Sequence, residues 1–296
     1  MSDVTFDTPV PLPRPTRARV SQRVAPIILV APLVLYMLVF YAAPVMAMLA
    51  RSVIDPHLTL QNFIRLAHDS VFFRVFANTL LTAIIVTLGT LLLGYPVALA
   101  LSRTRGTAAT VILIVVLLPF WTSVLVRSYA WMVLLGRHGL INEALHAAAL
   151  IRTPLRLLNT AFAVHLAMIH ILLPYMILPI AGVLRQLDPA VPRAAASLGA
   201  PPWGVFRQVT LPLSMPGVIA GTLLVFVLSL GFYITPALVG GPRDMMLSQL
   251  IAQQVDLLNW PYAACLSATL LAATLALLGL CHALPGVRGA LRPAIR

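Results

Sequence analysis

Six long runs of the chain contain no Asp, Glu or Arg: residues 24–50, 75–102, 106–126, 157–184, 208–242 and 257–287. About 20 consecutive apolar residues in a helix cover the hydrocarbon core of a bilayer. All six runs reach that length, so the pattern predicts six membrane-spanning helices with both chain ends on one side. The first run is about twice as long as the apolar part of a secretory signal, which is about 7–15 residues. It reads as an uncleaved first helix. The fifth run is too long for one span, and Pro212 and Pro216 mark its start, which places span 5 at about 215–236. Between the first two runs, Leu60, Phe63, Ile64 and Ala67 recur at helical spacing and predict a short helix lying on the outer surface. Residues 1–24 form a polar tail with Pro9, Pro11, Pro13 and Pro15, a composition that favours disorder. The expected organisation is that tail, a six-helix transmembrane domain over 25–285, and a short cytoplasmic tail over 286–296.

Composition agrees with this pattern. Of 296 residues, 60% are hydrophobic and 9% charged, and the mean hydropathy is +0.96. Soluble domains carry about 25% charged residues, and a soluble core stops growing near this length. An ordinary cytosolic enzyme and a disordered chain are therefore excluded. The net charge of +12 is carried by arginine alone, because the chain has no lysine. No soluble segment shows a basic stripe with interleaved aromatics, so a nucleic-acid binder is excluded as well. Cys265 and Cys281 lie in one apolar run, about 24 Å apart along a helix, and cannot bridge. With the N-terminus inside, twelve arginines fall on the inner segments and eight on the outer ones. The loop containing Arg103 and Arg105 has no acid and votes most cleanly for that orientation.

The loop between spans 4 and 5, residues 185–213, carries the strongest local signal. Asp188 is placed to cap a helix with Pro189 at its first position. Val191, Ala195 and Leu198 share one face, and Gly199 suits the residue after the helix end. Pro201 and Pro202 open a second short helix carrying Trp203 and Phe206, which Pro212 is expected to end. Ala194, Ala195 and Ala196 let a partner surface come close.

This segment resembles the EAA loop of ABC-importer permeases. The matching residues are Ala194, Ala195, Gly199, Ala200, Phe206, Val209, Leu211, Pro212, Pro216 and Gly217, with Arg193 standing where the motif has Glu. Residues 119–131 (Pro-Phe-Trp-Thr-Ser, then Leu125 to Trp131) resemble the third-span signature of spermidine/putrescine importer permeases. Leu135-Gly136 with Gly139 to Asn142, Gly231 to Pro236, and Gly240 to Asp244 resemble the same family. The resemblance implies an all-α type I ABC-importer permease fold in a bacterial inner membrane, and a transporter rather than an enzyme. It further implies a second, different permease chain, ATP-binding cassette ATPase subunits that receive the loop, and an external substrate-binding protein. Arg193, Ala194, Ala195, Gly199, Phe206, Leu211 and Pro212 would form the element that couples to the ATPase. No cofactor is expected in this chain. A phosphate-binding loop needs a lysine, which is absent, so ATP must be bound by the partner ATPase.

Arg127 reads as a side chain that snorkels to the outer interface. Tyr129, Trp131, Phe232, Tyr233 and Thr235 are the candidate pathway residues. The aromatics among them offer cation–π contacts worth about 0.5–2 kcal/mol each, but an interfacial aromatic belt has the same pattern. His165 and His170 are about 140° apart on a helix, and no metal site is expected. An ion-coupled transporter usually needs ionisable groups inside its spans, and no Asp or Glu lies there. The favoured cargo is a polyamine, with another small solute as the alternative.

Overall fold

The computed structural model describes residues 30–54 and 57–283, apart from the His282 side chain. The terminal tails expected over 1–24 and 286–296 lie outside the described residues. The chain divides at Ala50 into two units. The first holds α1 (Val30–Ala50), a helix with one π-helical turn over Leu38–Ala42. Leu33, Leu35, Phe40 and Tyr41 are exposed on it, so it is apolar all round, as a lipid-facing helix is.

The described residues of the second unit form eleven further helices: α2 (Gln61–His68), α3 (Ser70–Arg103), α4 (Gly106–Trp121), α5 (Val124–Leu135), α6 (Leu140–Ala147), α7 (Ala161–Gln186), α8 (Ala190–Ser197), α9 (Pro202–Leu230), α10 (Ile234–Val239), α11 (Leu247–Asp256) and α12 (Trp260–Ala283). Among the described residues five helices, α1, α3, α7, α9 and α12, are long and apolar enough to cross a membrane. Among the described residues, α4 together with the stretch Val124–Ala147, which holds α5 and α6, makes a sixth crossing only if counted as one span bent by 97°.

That bend corrects the expectation of a straight span over 106–126. Pro119 lies in the last turn of α4, and Thr122 ends the helix, its N–H and its hydroxyl both donating to the Pro119 carbonyl. Ser123 then caps α5, its hydroxyl accepting from the Leu125 N–H at 3.3 Å. A hydroxyl at this position satisfies one of the orphan donors of a new helix start. Neither residue is charged, so the break is invisible to a search for charge-free runs.

Two further corrections concern span 5. It runs from Pro202 to Leu230, not 215–236, and Pro212 does not end a helix. The turn before Pro212, Phe206–Thr210, is π-helical, with the Leu211 N–H donating to the Phe206 carbonyl. A widened turn of this kind lets a proline continue a helix at the point where its missing donor and its ring would otherwise break it. Gly231 ends the span, and Ile234–Val239 is a separate short helix.

The core is centred on α7, which packs against α3 and α9 through Met168, Leu172, Met176, Ile177 and Ile180, all essentially inaccessible. Helices α7 and α9 touch at backbone distance. A Cβ on Gly217 would stand 2.8 Å from the Pro179 oxygen and 2.9 Å from Ile180 Cα. Thr79 uses its hydroxyl twice, donating to the Val75 carbonyl and accepting from the Leu247 N–H at 2.8 Å, which fixes the start of α11 on α3.

A second apolar cluster lies at the start of α3 and joins it to α2, α11 and α12 through Leu66, Phe72, Leu250, Tyr262 and Leu266. The surface helix exists, but Phe63 and Leu66 pack inward while Ile64 and Ala67 are exposed, so its buried face is not the one expected. Asp69 caps α3 through the Val71 N–H at 2.9 Å and accepts from the Tyr262 hydroxyl at 2.8 Å, and Arg65 sits 4.8 Å over the Tyr262 ring. Burial raises the Asp69 carboxyl, but the Tyr262 hydroxyl, the Val71 and Phe72 N–H groups and Arg65 together hold it below its ordinary value. A depressed folded pKa contributes stability at neutral pH that is lost as pH falls through it. Thermal unfolding in detergent is therefore expected to show wild type losing stability below about pH 4 while Asp69→Ala, already about 1 kcal/mol less stable at pH 7, changes less. Equal acid sensitivity of the two would remove Asp69 from this role.

Candidate functional site

Two regions bear on function, one at each end of α7. At 26 residues that helix is about 39 Å long, so the two ends are far apart.

At its C-terminal end is the α8 segment. Pro189, not Asp188, precedes the first helical residue, a shift of one position. The Asp188 carboxylate still accepts from the Ala190 N–H at 2.8 Å. The helix ends in a paired turn: the Gly199 N–H donates to the Ala196 carbonyl and the Ala200 N–H to the Ala195 carbonyl, with Gly199 at φ +87°. These two bonds satisfy the last carbonyls only if the intervening residue is left-handed, the conformation glycine adopts without penalty.

Val191 and Leu198 do not face a core. Both are exposed, Leu198 at 89%, so the apolar face predicted for α8 is uncovered in this chain. Arg193 and Ala194 are exposed as well, and Ala195 is half-buried.

After Gly199 the start of α9 lies against α3. Trp203 stacks on Phe206 with ring centres 5.3 Å apart, and Phe206 meets the Tyr95 ring edge-on at 5.8 Å. The Ser214 hydroxyl donates to the Leu211 carbonyl, so at 2.9 Å it accepts from Tyr95. A groove of about 620 Å³ opens between these elements, lined by Tyr95, Leu99, Arg103, Ala196, Trp203 and Phe206 among others. Leu211 and Pro212 lie further along α9, beyond the π-turn and outside the groove lining. Tyr95 was missed from sequence because nothing local marks it; only the fold brings it to Phe206.

Towards the N-terminal end of α7 lie the residues singled out for the pathway. Thr235 and Ser128 meet: the Ser128 hydroxyl donates to the Val124 carbonyl and accepts from the Thr235 hydroxyl at 2.8 Å, tying α10 to α5. Trp131 donates from Nε1 to His170 Nδ1 at 3.3 Å, with the rings edge-to-face. His165 and His170 are not brought together, and among the described residues no cluster of three metal-ligating side chains occurs. Phe232 is half-buried, and its carbonyl accepts from the Ser248 hydroxyl. Tyr129 and Tyr233 are about half exposed and take no part in these pairs.

Arg127 does not behave as a snorkelling side chain. It is only partly exposed, and its Nε and Nη1 are buried without a hydrogen-bond partner. Asn142 on α6 ties together the segments on either side of that helix, donating to the Gly136 and Leu155 carbonyls and accepting from the Leu155 N–H at 2.8 Å.

Residues 18–296 match the family described as binding-protein-dependent transport system inner membrane component. The chain belongs to this permease family. Its relatives include the spermidine/putrescine transport system permease protein PotB of Escherichia coli (strain K12), 36% identical over 213 residues, which are 72% of this chain and 77% of PotB. The inner membrane ABC transporter permease protein YdcU of the same organism is 35% identical over 223 residues, 71% of each chain. Among solved structures, a chain of a bacterial alginate ABC transporter in complex with an alginate pentasaccharide-bound periplasmic protein superimposes with a TM-score of 0.70 at 18% identity, covering 88% of this chain and 93% of that one. The fold is therefore that of an ABC-importer permease, and the protein is a multi-pass inner-membrane transport permease, not an enzyme.

Proposed function

We propose that this permease carries a polyamine, putrescine or spermidine, and that it draws its energy from separate ATPase subunits docked on α8. The observation that carries the coupling part is the exposed, small-residue helix α8 hinged at Gly199 onto a span running without interruption from Pro202 to Leu230. Force applied at α8 has a direct route into the bundle. It passes through Trp203 and Phe206 to Tyr95 on α3, and along α9 itself. Arg193, Ala194, Ala195, Gly199, Phe206, Leu211 and Pro212 are assigned to this element. Both termini and α8 lie on the cytoplasmic side in this reading, a second and different permease completes the pore, and a substrate-binding protein delivers cargo outside.

The cargo assignment rests on the likeness to PotB over 72% of the chain, supported by the aromatic and hydroxyl groups at α5 and α10. Trp131, with Tyr129, Phe232, Tyr233 and Thr235, is assigned to the pathway, where its ring can hold an ammonium group by a cation–π contact. In proteoliposomes holding the assembled complex, ATP-driven uptake of labelled putrescine or spermidine is expected. Trp131→Ala should lower the apparent affinity about 2–30-fold, the equivalent of about 0.5–2 kcal/mol. Uptake of another solute with none of either polyamine would overturn the cargo assignment, and unchanged affinity in Trp131→Ala would return that residue to an interfacial belt.

A further inference from the structure

Three arginines lie along adjoining clefts at the N-terminal end of α7, opposite the α8 segment. Arg156 and Arg243 line a cleft of about 560 Å³ together with Asn159, Thr160 and Asp244. Arg156 also lines a smaller cleft of about 150 Å³ with Arg137. Arg137 in turn lines a third, of about 280 Å³, with Asn142 and Glu143. The shared residues make this one basic strip.

The segments that carry the strip are pinned by hydrogen bonds. The Asn159 N–H donates to the Val239 carbonyl, and Asn142 pins Gly136 and Leu155. All three arginine side chains are exposed, and among the described residues none is engaged in an ion pair. Asp244, the nearest acid in the large cleft, spends one carboxylate oxygen on the Gly241 N–H at 3.2 Å.

A row of exposed guanidinium groups along adjoining open clefts repels a cationic cargo. It attracts carboxylates, which match the planar donor fork of arginine. The family to which this chain belongs depends on a binding protein. We propose that the Arg137–Arg156–Arg243 strip is the landing surface for acidic side chains of the external substrate-binding protein. The proposal rests on the outward orientation and partner set given above and adds to them the residues that receive the carrier. On this account the positive outer face is no obstacle to polyamine import. The permease captures the acidic carrier, and the carrier brings the cation.

The test uses the purified complex in nanodiscs with its own binding protein, wild type against Arg137→Ala/Arg156→Ala/Arg243→Ala and against each single change. Affinity for the binding protein is measured at two salt concentrations, alongside basal ATP hydrolysis and melting temperature. Exposed ion pairs at a rim act mainly on association rate and salt dependence. Each single change should weaken binding about 2–5-fold, and the triple change more than tenfold with a flatter salt dependence. Basal hydrolysis and melting temperature should stay at wild-type values. Arg156→Glu should weaken binding further than Arg156→Ala. Equal affinity and equal salt dependence in the triple variant would overturn the proposal. So would a variant whose only change is a lost response to anionic lipid in the nanodisc, because the strip would then be a headgroup site. If no binding protein engages the wild-type complex at all, the partner reading falls together with this one. If the carrier docks through the strip but delivers a different solute, only the cargo assignment falls.

Discussion

Gly199→Val is expected to leave the protein in the membrane at normal abundance and to cut ATP-driven uptake by more than tenfold. The reason is conformational and not steric. A Cβ at Gly199 meets nothing within 4 Å, yet the residue sits at φ +87°. L-residues in the left-handed region cost about 1–2 kcal/mol, and a β-branched side chain fares worst there. Valine would relieve that strain by undoing the paired turn at Ala195 and Ala196, and α8 would swing away from the start of α9. Hydrolysis by the ATPase subunits should continue while solute no longer follows it. Gly199→Asn should keep most of the uptake, because asparagine tolerates the same backbone region. Wild-type uptake in Gly199→Val, checked against its abundance in membranes, would mean the turn has no part in coupling.

Gly217→Leu is expected to have the largest effect on stability. Here the surroundings and not the backbone decide. The new side chain would begin 2.8–2.9 Å from the main chain of Pro179 and Ile180, and main chain inside α7 cannot move aside as a flexible side chain can. Overpacking against side chains costs about 1–3 kcal/mol, and rigid backbone places this case at or above the upper end. Helices α7 and α9 would be forced apart along the seam that holds Ile180 and Val218. The apparent melting temperature in detergent should drop by about 6–12 °C or the folded protein should not be recovered. Gly182→Leu is the matched control, since a Cβ there meets nothing within 4 Å, and it should unfold close to wild type. A Gly217→Leu protein that melts like wild type would show that the seam is looser than described.

Much of the architecture was legible because charge is so costly in a bilayer that its absence marks spans. Runs free of acid and arginine located α3, α7, α12 and the described part of α1, and overlapped α9 without giving its bounds. Uncharged punctuation was not legible in the same way. Thr122 and Ser123 turn the chain by 97° without altering the hydropathy of the run, and the π-turn at Phe206–Thr210 carries Pro212 inside a helix that sequence rules end there. Around the coupling element, the Gly199 turn and the Asp188 cap could be read locally because both act within five residues of themselves. Tyr95 against Phe206, Ser128 against Thr235 and Trp131 against His170 could not, since each joins elements 39–111 residues apart. The α2 face was misassigned for a related reason. Helical spacing grouped Leu60, Phe63, Ile64 and Ala67, but contact with Phe72 and Tyr262, known only from the fold, keeps Phe63 and adds Leu66.

The most direct measurement is a site-specific cross-link from α8 to an ATPase subunit. Ser197 is exposed at the end of α8, and the chain's two native cysteines, Cys265 and Cys281, both sit on α12 away from it, so they can be changed to alanine in the background. With Ser197→Cys in the otherwise complete complex, a short bifunctional reagent should join this chain to an ATP-hydrolysing subunit in near-stoichiometric yield. The yield should change between nucleotide-free and ATP-bound complexes, and a cysteine placed at Arg156, at the far end of α7, should give no such product. A cross-link to the ATPase from position 156 and none from position 197, in a complex that transports normally, would contradict both the orientation and the coupling role assigned to α8.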